Sequence, residues 1–291
     1  MAKLIHLSDL HFGAHDDKLV AAVERRVDAE KPDLVVISGD FTQRARTEQF
    51  QQAGAFLTRL KASGHDVLAV PGNHDIPLYD VLRRFLSPLT RYRKYIDSTL
   101  CPFHEVPGAA VLGINTARSA TIKDGKINRE QIAFIRETFG RIDAKVPRVL
   151  VTHHPIFALP VGGGGVGKPI DNQADVLEMI GALGVDVLLA GHNHRASRED
   201  SSDFVTKSTG ALVIQAGTAT STRVRGEHQS FNIIEIDGET VKVTLVGWHE
   251  TDFKNGEPAL FTRMNNRWVM LGEAGIEHVP NAPEEPVAPA S

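Results

Sequence analysis

The amino-acid sequence predicts a layered α/β fold, and three observations carry that prediction. Short runs rich in Val, Ile and Leu recur through the first two thirds of the chain, amphipathic stripes lie between them, and after about residue 210 strand-like runs follow one another with no helix between. The runs are LIHLS (4–8), LVVIS (34–38), VLAV (67–70), AVLGI (110–114), RVLVT (148–152) and VDVLLA (185–190). Such continuous apolar runs suit strands covered on both faces. Between the first two, Leu19, Val23 and Val27 repeat every four residues over 16–30, and Pro32 ends the segment. Phe50, Ala53, Phe56, Leu57 and Leu60 make a similar stripe over 47–63, and helices are expected at 128–140 and 172–183. This alternation is what argues for layers. ALVIQAG, SFNIIEID and TVKVTLVGWH then predict an antiparallel end, expected as a second sheet packed on the first. Asp237-Gly238 marks a tight hairpin, and Asn265-Asn266 a second turn.

The chain has 291 residues, 42% of them hydrophobic and 23% charged, enough apolar content for a full core. One domain is expected over 1–279, followed by a Pro-rich tail, 280–291, too poor in apolar residues to order itself. The net charge of -4 gives no overall basic field, so no stable nucleic-acid partner is expected. The single cysteine, Cys101, excludes an intrachain disulfide and a cysteine-rich metal site. His6, Asp9 and His11 stand where a signal peptide needs an apolar stretch, and no run approaches membrane-spanning length; the expected location is cytoplasmic. Peripheral membrane contact stays open, as does homo-oligomerisation through edge strands near 258–271.

Several of the apolar runs end in residues that bind metals. Asp9 and His11 follow the first, Asp40 the second, Asn73 and His74 the third, His153 and His154 a later one, and His192 and His194 another. Ligands bind at the carboxyl ends of strands in open α/β sheets, so these clusters should converge on one edge. Glycines 39, 72 and 191 allow sharp turns and close approach there. The donors are carboxylate, amide oxygen and imidazole, without thiolate, which suits Mn, Fe or Zn. Seven strong candidates exceed what one ion needs. Two ions about 3.5–4 Å apart, sharing a carboxylate, would use them all, and Asp40, placed by Gly39, is the natural shared group.

The ordered blocks D-x-H (9–11), G-D (39–40), G-N-H-D (72–75), a distant H (153) and G-H-x-H (191–194) resemble the signature of the calcineurin-like metallophosphoesterase superfamily. Within it, SDLHFG, SGDFT, VPGNHD, HHP and the G-K-I-x-x-x-Q stretch (125–131) are most similar to the class III cyclic-nucleotide phosphodiesterase branch. The resemblance implies two facing mixed β-sheets flanked by helices, a four-layer αββα sandwich. It implies that Asp9, His11 and His194 bind one metal ion and Asn73, His153 and His192 a second, with Asp40 and a water or hydroxide bridging both. His74 would contact the substrate phosphate and protonate or stabilise the leaving oxygen. The implied activity is phosphodiester hydrolysis by the bridging hydroxide on a small substrate, a cyclic nucleotide or a glycerophosphodiester or phospholipid headgroup. A phosphomonoesterase is the alternative, with a nuclease or a non-catalytic scaffold behind it.

Other residues carry two readings each. Arg44 and Arg46 follow Asp40 and read as phosphate contacts or as a solvated helix start; Asn115 and Arg118 read as pocket residues or as a plain loop. His154 should point away from His153 on an extended chain, for packing or for support of a ligand, and Asp75 should cap or orient its turn. The Gly-rich stretch 160–168 lacks the order of a phosphate-binding loop and reads as a mobile rim or a linker. His249 is expected beside Trp248, and Phe12 in either core or pocket.

Overall fold

The computed structural model describes residues 1–121, 124–157, 160–161, 165–166, 168–193, 210–222, 228–264, 267–272 and 275–276. The first half alternates as expected: β1 (Ala2–Leu7), α1 (Asp17–Glu30), β2 (Leu34–Ile37), α2 (Thr47–Ala62) and β3 (Val67–Ala69). A 3-10 turn at Asn73–Asp75 follows, then two short helices, α3 (Val81–Leu86) and α4 (Thr90–Tyr95), too brief to show a helical period in the sequence. β4 (Phe103–Val106), β5 (Ala109–Ile114), α5 (Arg129–Gly140) and β6 (Arg148–Thr152) come next. The two-residue strands β7 (Pro160–Val161) and β8 (Gly165–Val166) pair antiparallel within the Gly-rich stretch, whose residues 162–164 and 167 lie outside the described residues. α6 (Gln173–Leu183), β9 (Val187–Ala190) and β10 (Leu212–Gln215) complete the alternating part. β11 (Ser230–Asp237), β12 (Thr240–His249), β13 (Asp252–Met264), β14 (Arg267–Gly272) and β15 (Gly275–Ile276) form the antiparallel end. The expected tail, 280–291, lies outside the described residues.

Two mixed sheets face one another. One runs β15-β14-β13-β12-β11-β1-β2-β3 and the other β10-β9-β6-β5-β4. This corrects the expectation for the end of the chain. The antiparallel strands do not build a second sheet; β11 pairs with β1 and extends the first. The second sheet comes from the middle of the chain, and β10 belongs to it, parallel to β9. Chain order could not reveal this, because sheet membership is set by which edge a strand meets.

The continuous apolar runs are explained by the layers. Val35 and Ile37 pack with α1, α2 and Tyr92 of α4 in one core. Leu34 and Val36 face the other way, into a core between the sheets with Val149, Val151, Val187 and Leu189. Leu150 and Leu188 join Ile135 and Phe139 of α5 and Val176 and Met179 of α6 in a third. Residues of period two thus alternate between two apolar cores, which is why these strands read as continuous apolar runs. Phe12 is core, packed against Phe56 with ring centroids 5.9 Å apart. Trp248 packs on Phe253 at 5.1 Å, and His249 is exposed instead of lying against the core with it. No helix among the described residues is long and apolar enough to cross a membrane.

His6 is a buried histidine on β1 whose Nε2 lies 2.9 Å from Ser38 Oγ. Burial drives its pKa from 6.5 down to about 3, with Asp9 pulling the other way. The native state keeps the ring neutral, whereas the unfolded chain protonates it below about 6.5. Its contribution to stability is therefore complete above that pH and is lost as pH falls towards 3. Urea unfolding of His6→Gln should show a shallower loss of stability than the parent between pH 6 and 4.5, by about 1.4 kcal/mol per pH unit. Parallel curves would mean the ring is charged in the fold.

Candidate functional site

The loops after β1, β2 and β3 leave one sheet, and those after β6 and β9 leave the other, so their carboxyl ends meet where the sheets face each other. Backbone bonds lace the first two loops together: Asp9 N–H donates to Gly39 O (3.1 Å) and His11 N–H to Asp40 O (2.9 Å). From the loop after β10, Thr218 Oγ1 donates to Asp9 O and Thr220 Oγ1 to Leu10 O, both at 2.7 Å. These two threonines were not anticipated; the polar run GTATST (217–222) was their only mark.

Seven non-glycine residues among those described have positive φ, and four are candidate ligands: Asp9 (51°), His11 (48°), Asp40 (53°) and His192 (72°). Left-handed backbone at such residues is strained, and it persists where surrounding contacts over-determine it. Gly39 and Gly72 make the packing feasible. A Cβ on Gly72 would stand 2.1 Å from Asp40 Oδ1 and 2.3 Å from Asp40 N.

Asn73, His153 and His192 converge tightly. Asn73 Oδ1 is 3.0 Å from His153 Nε2 and 3.0 Å from His192 Nδ1, and the two ring nitrogens are 3.3 Å apart. His153 Nδ1–H donates to Ser38 O at 2.8 Å, which leaves Nε2 as the nitrogen with the lone pair. Asp40 stands between this trio and the first loop. Its Oδ1 lies 3.4 Å from His153 Nε2 and accepts from His74 N–H at 2.8 Å, while its Oδ2 is 3.8 Å from His11 Nε2. His11 Nε2 is in turn 3.7 Å from Asp9 Oδ1. Asp9 Oδ2 accepts from Ser8 Oγ (2.6 Å) and His192 N–H (3.1 Å). His194 lies outside the described residues.

Burial alone would raise the pKa of Asp40, but His153, His74 and His11 hold it well below the usual carboxylate range. Burial works against a charge on His153, and Asp40 and Asp9 outweigh it and raise that ring. The donor set fits a hard or intermediate cation. Ligands about 2.0–2.1 Å from one ion stand roughly 2.9–3.4 Å from each other, the spacing of the trio. Among the described residues Asp40 Oδ2 is buried with no hydrogen-bond partner, a costly state that a cation would relieve.

The neighbours divide sharply. Asp75 orients the turn as expected: its oxygens accept from the amides of Phe41 (3.2 Å), Thr42 (2.9 Å) and Gly72 (2.9 Å) and from Thr42 Oγ1 (3.0 Å). His154 does not point away. The chain bends after β6, and the His154 ring lies 4.7 Å from that of His192, with Nδ1 2.8 Å from Thr116 Oγ1. Burial, then His153 and His192, lower its pKa well below the ordinary value, so it is neutral. His74 Nδ1–H donates to Gln43 O at 2.9 Å, and its ring lies edge-on to His11 at 4.9 Å.

His74 lines a cleft of about 200 Å³ with Asn73, Gln43, Arg44, Leu78 and Tyr79. Arg44 is exposed at its rim, 5.9 Å over the Tyr79 ring, and Arg46 opens on the adjoining surface. Asn115 and Arg118 do not line the cleft. Asn115 Oδ1 accepts from Ala117 N–H in a local turn, and Arg118 donates to Lys126 O and Gln131 Oε1. These bonds hold the loop after β5 closed.

Comparison with known proteins agrees with this geometry. The sequence profile described as calcineurin-like phosphoesterase matches residues 2–196. The glycerophosphodiester phosphodiesterase GpdQ of Enterobacter lignolyticus (strain SCF1) is 34% identical over 207 residues, 66% of this chain and 70% of that protein. A dimetal phosphatase from Danio rerio superposes with a TM-score of 0.60 at 15% identity, over 87% of this chain and 98% of that one. The purple acid phosphatase PPD1 from yellow lupin (Lupinus luteus) seeds gives 0.64 at 13% identity, over 91% and 54%. At these identities the two structures speak for the fold.

Proposed function

Because the chain belongs to the calcineurin-like phosphoesterase family, hydrolases of phosphate esters, we propose that it is a binuclear metal-dependent phosphodiesterase. One observation carries the two-ion reading: the two oxygens of Asp40 face different donor groups, His153 on one side and His11 on the other. In this reading Asn73, His153 and His192 hold one ion, Asp9, His11 and His194 the other, and Asp40 is shared. Mn, Fe or Zn ions suit these donors and, when bound, neutralise phosphoryl oxygens and acidify water. The chain's own residues then set orientation and proton transfer. Ser38 O fixes the His153 tautomer, and Gln43 O fixes that of His74, so Nε2 of His74 is the nitrogen available to the leaving oxygen in the cleft. The position of Arg44 at the rim supports a role in contacting a substrate anion.

Likeness to GpdQ supports a glycerophosphodiester, or another small diester, over a monoester. Turnover of bis(p-nitrophenyl) phosphate should exceed that of p-nitrophenyl phosphate with added Mn²⁺; the reverse order would select the monoesterase. His74→Ala should keep its metal content and lose about 10²-fold in turnover, the usual contribution of a positioned acid. A variant within a few-fold of the parent would remove His74 from the chemistry.

A further inference from the structure

Apart from Met1, every described large apolar side chain more than half exposed lies between Tyr79 and Leu86: Tyr79 (75%), Val81 (63%), Leu82 (72%), Phe85 (61%) and Leu86 (75%). Spacings of one and four residues put the last four on one face of α3. The helix is held in that pose. Asp80 Oδ1 caps it by accepting from Arg83 N–H at 3.0 Å. From the opposite face the buried Arg84 guanidinium donates to the carbonyls of Pro77 (3.1 Å), Ser119 (2.7 Å) and Thr121. The patch begins at the candidate site, since Leu78 and Tyr79 line the cleft with His74.

Exposed cations accompany the patch on an acidic molecule: Arg44 lies over Tyr79, and Arg93 and Lys94 follow on α4, whereas Arg83 pairs with Asp80 at 2.9 Å and Arg84 is buried. A second copy docked symmetrically would bring these cations face to face, which is unfavourable. An anionic bilayer satisfies both features, because apolar side chains enter the interface while cations meet headgroup phosphates. We propose that the Leu78–Leu86 segment is a docking surface for an anionic phospholipid bilayer, holding the cleft mouth at headgroup level. That headgroup diesters are thereby presented to His74 rests on the phosphodiesterase reading; the docking does not.

Co-sedimentation with phosphatidylglycerol/phosphatidylcholine vesicles tests it. The parent should partition onto these vesicles, weaken as salt rises, and bind pure phosphatidylcholine far less, since each cation near an anionic surface is worth about fivefold. Leu82→Ser/Phe85→Ser removes two exposed anchors that do not line the cleft. It should lower partitioning about tenfold or more while soluble bis(p-nitrophenyl) phosphate is hydrolysed at the parental rate. Equal partitioning of variant and parent, or no binding of the parent to anionic vesicles, overturns the proposal. So does a dimer in sedimentation velocity that the double variant dissociates. Absent turnover of soluble diesters would instead sink the phosphodiesterase reading and leave vesicle binding unchanged.

Discussion

Asp40→Asn should lose at least about 10³-fold in diester turnover and bind markedly less metal at both centres. The amide keeps the shape of the carboxylate, so the backbone cradle of Gly39, Gly72 and His74 N–H stays intact. What disappears is the negative charge that His153, His74 and His11 surround, together with one of the two acceptor oxygens. An NH₂ group in place of Oδ1 or Oδ2 presents hydrogens to an imidazole nitrogen or to an ion. Metal analysis and hydrolysis of bis(p-nitrophenyl) phosphate read the two effects separately. A variant within tenfold of the parent and with full metal content would mean that Asp40 is not shared.

Gly39→Ala should destabilise the fold by about 3 kcal/mol or more and impair the site with it. Two costs combine. Gly39 has φ of +100°, a conformation side chains rarely adopt, and its added Cβ would meet His153 Nδ1 at 2.6 Å, Gly72 N at 2.8 Å and Gly72 Cα at 2.9 Å. None of these can yield cheaply: the ring is tied to Ser38 O, and the other two atoms are backbone. Gly64→Ala is the control, with φ of +89° but nothing among the described residues within 4 Å of the added Cβ. It should cost only about 1–2 kcal/mol, the backbone part. Equal losses for the two variants in urea unfolding would show that crowding at the strand end adds nothing.

Much of the candidate site was legible because its residues recur in one grammatical position, the end of an apolar run. Asp9, His11, Asp40, Asn73, His153 and His192 could be placed without knowing which strands pair. His154 could not, because its direction depends on a bend after β6 that no local residue announces. Asn115 and Arg118 kept two readings for a related reason: a polar side chain after a strand can serve a ligand or close its own loop, and the hydrogen bonds of Ala117, Lys126 and Gln131 favour the loop. The short helix α3 left no period, so its outward apolar face went unread.

The sequence by itself determined the four long helices, the doubly buried strands, the ordered donor blocks and the family resemblance, since burial period and residue chemistry are local properties. Only the tertiary structure decided that β1, β2 and β3 share one sheet with the antiparallel end while β6 and β9 belong to the other. It alone brought the two oxygens of Asp40 against imidazoles from separate loops. Pairing between strands and the facing of two sheets are settled by contacts far apart in the chain, and no run of neighbouring residues encodes them.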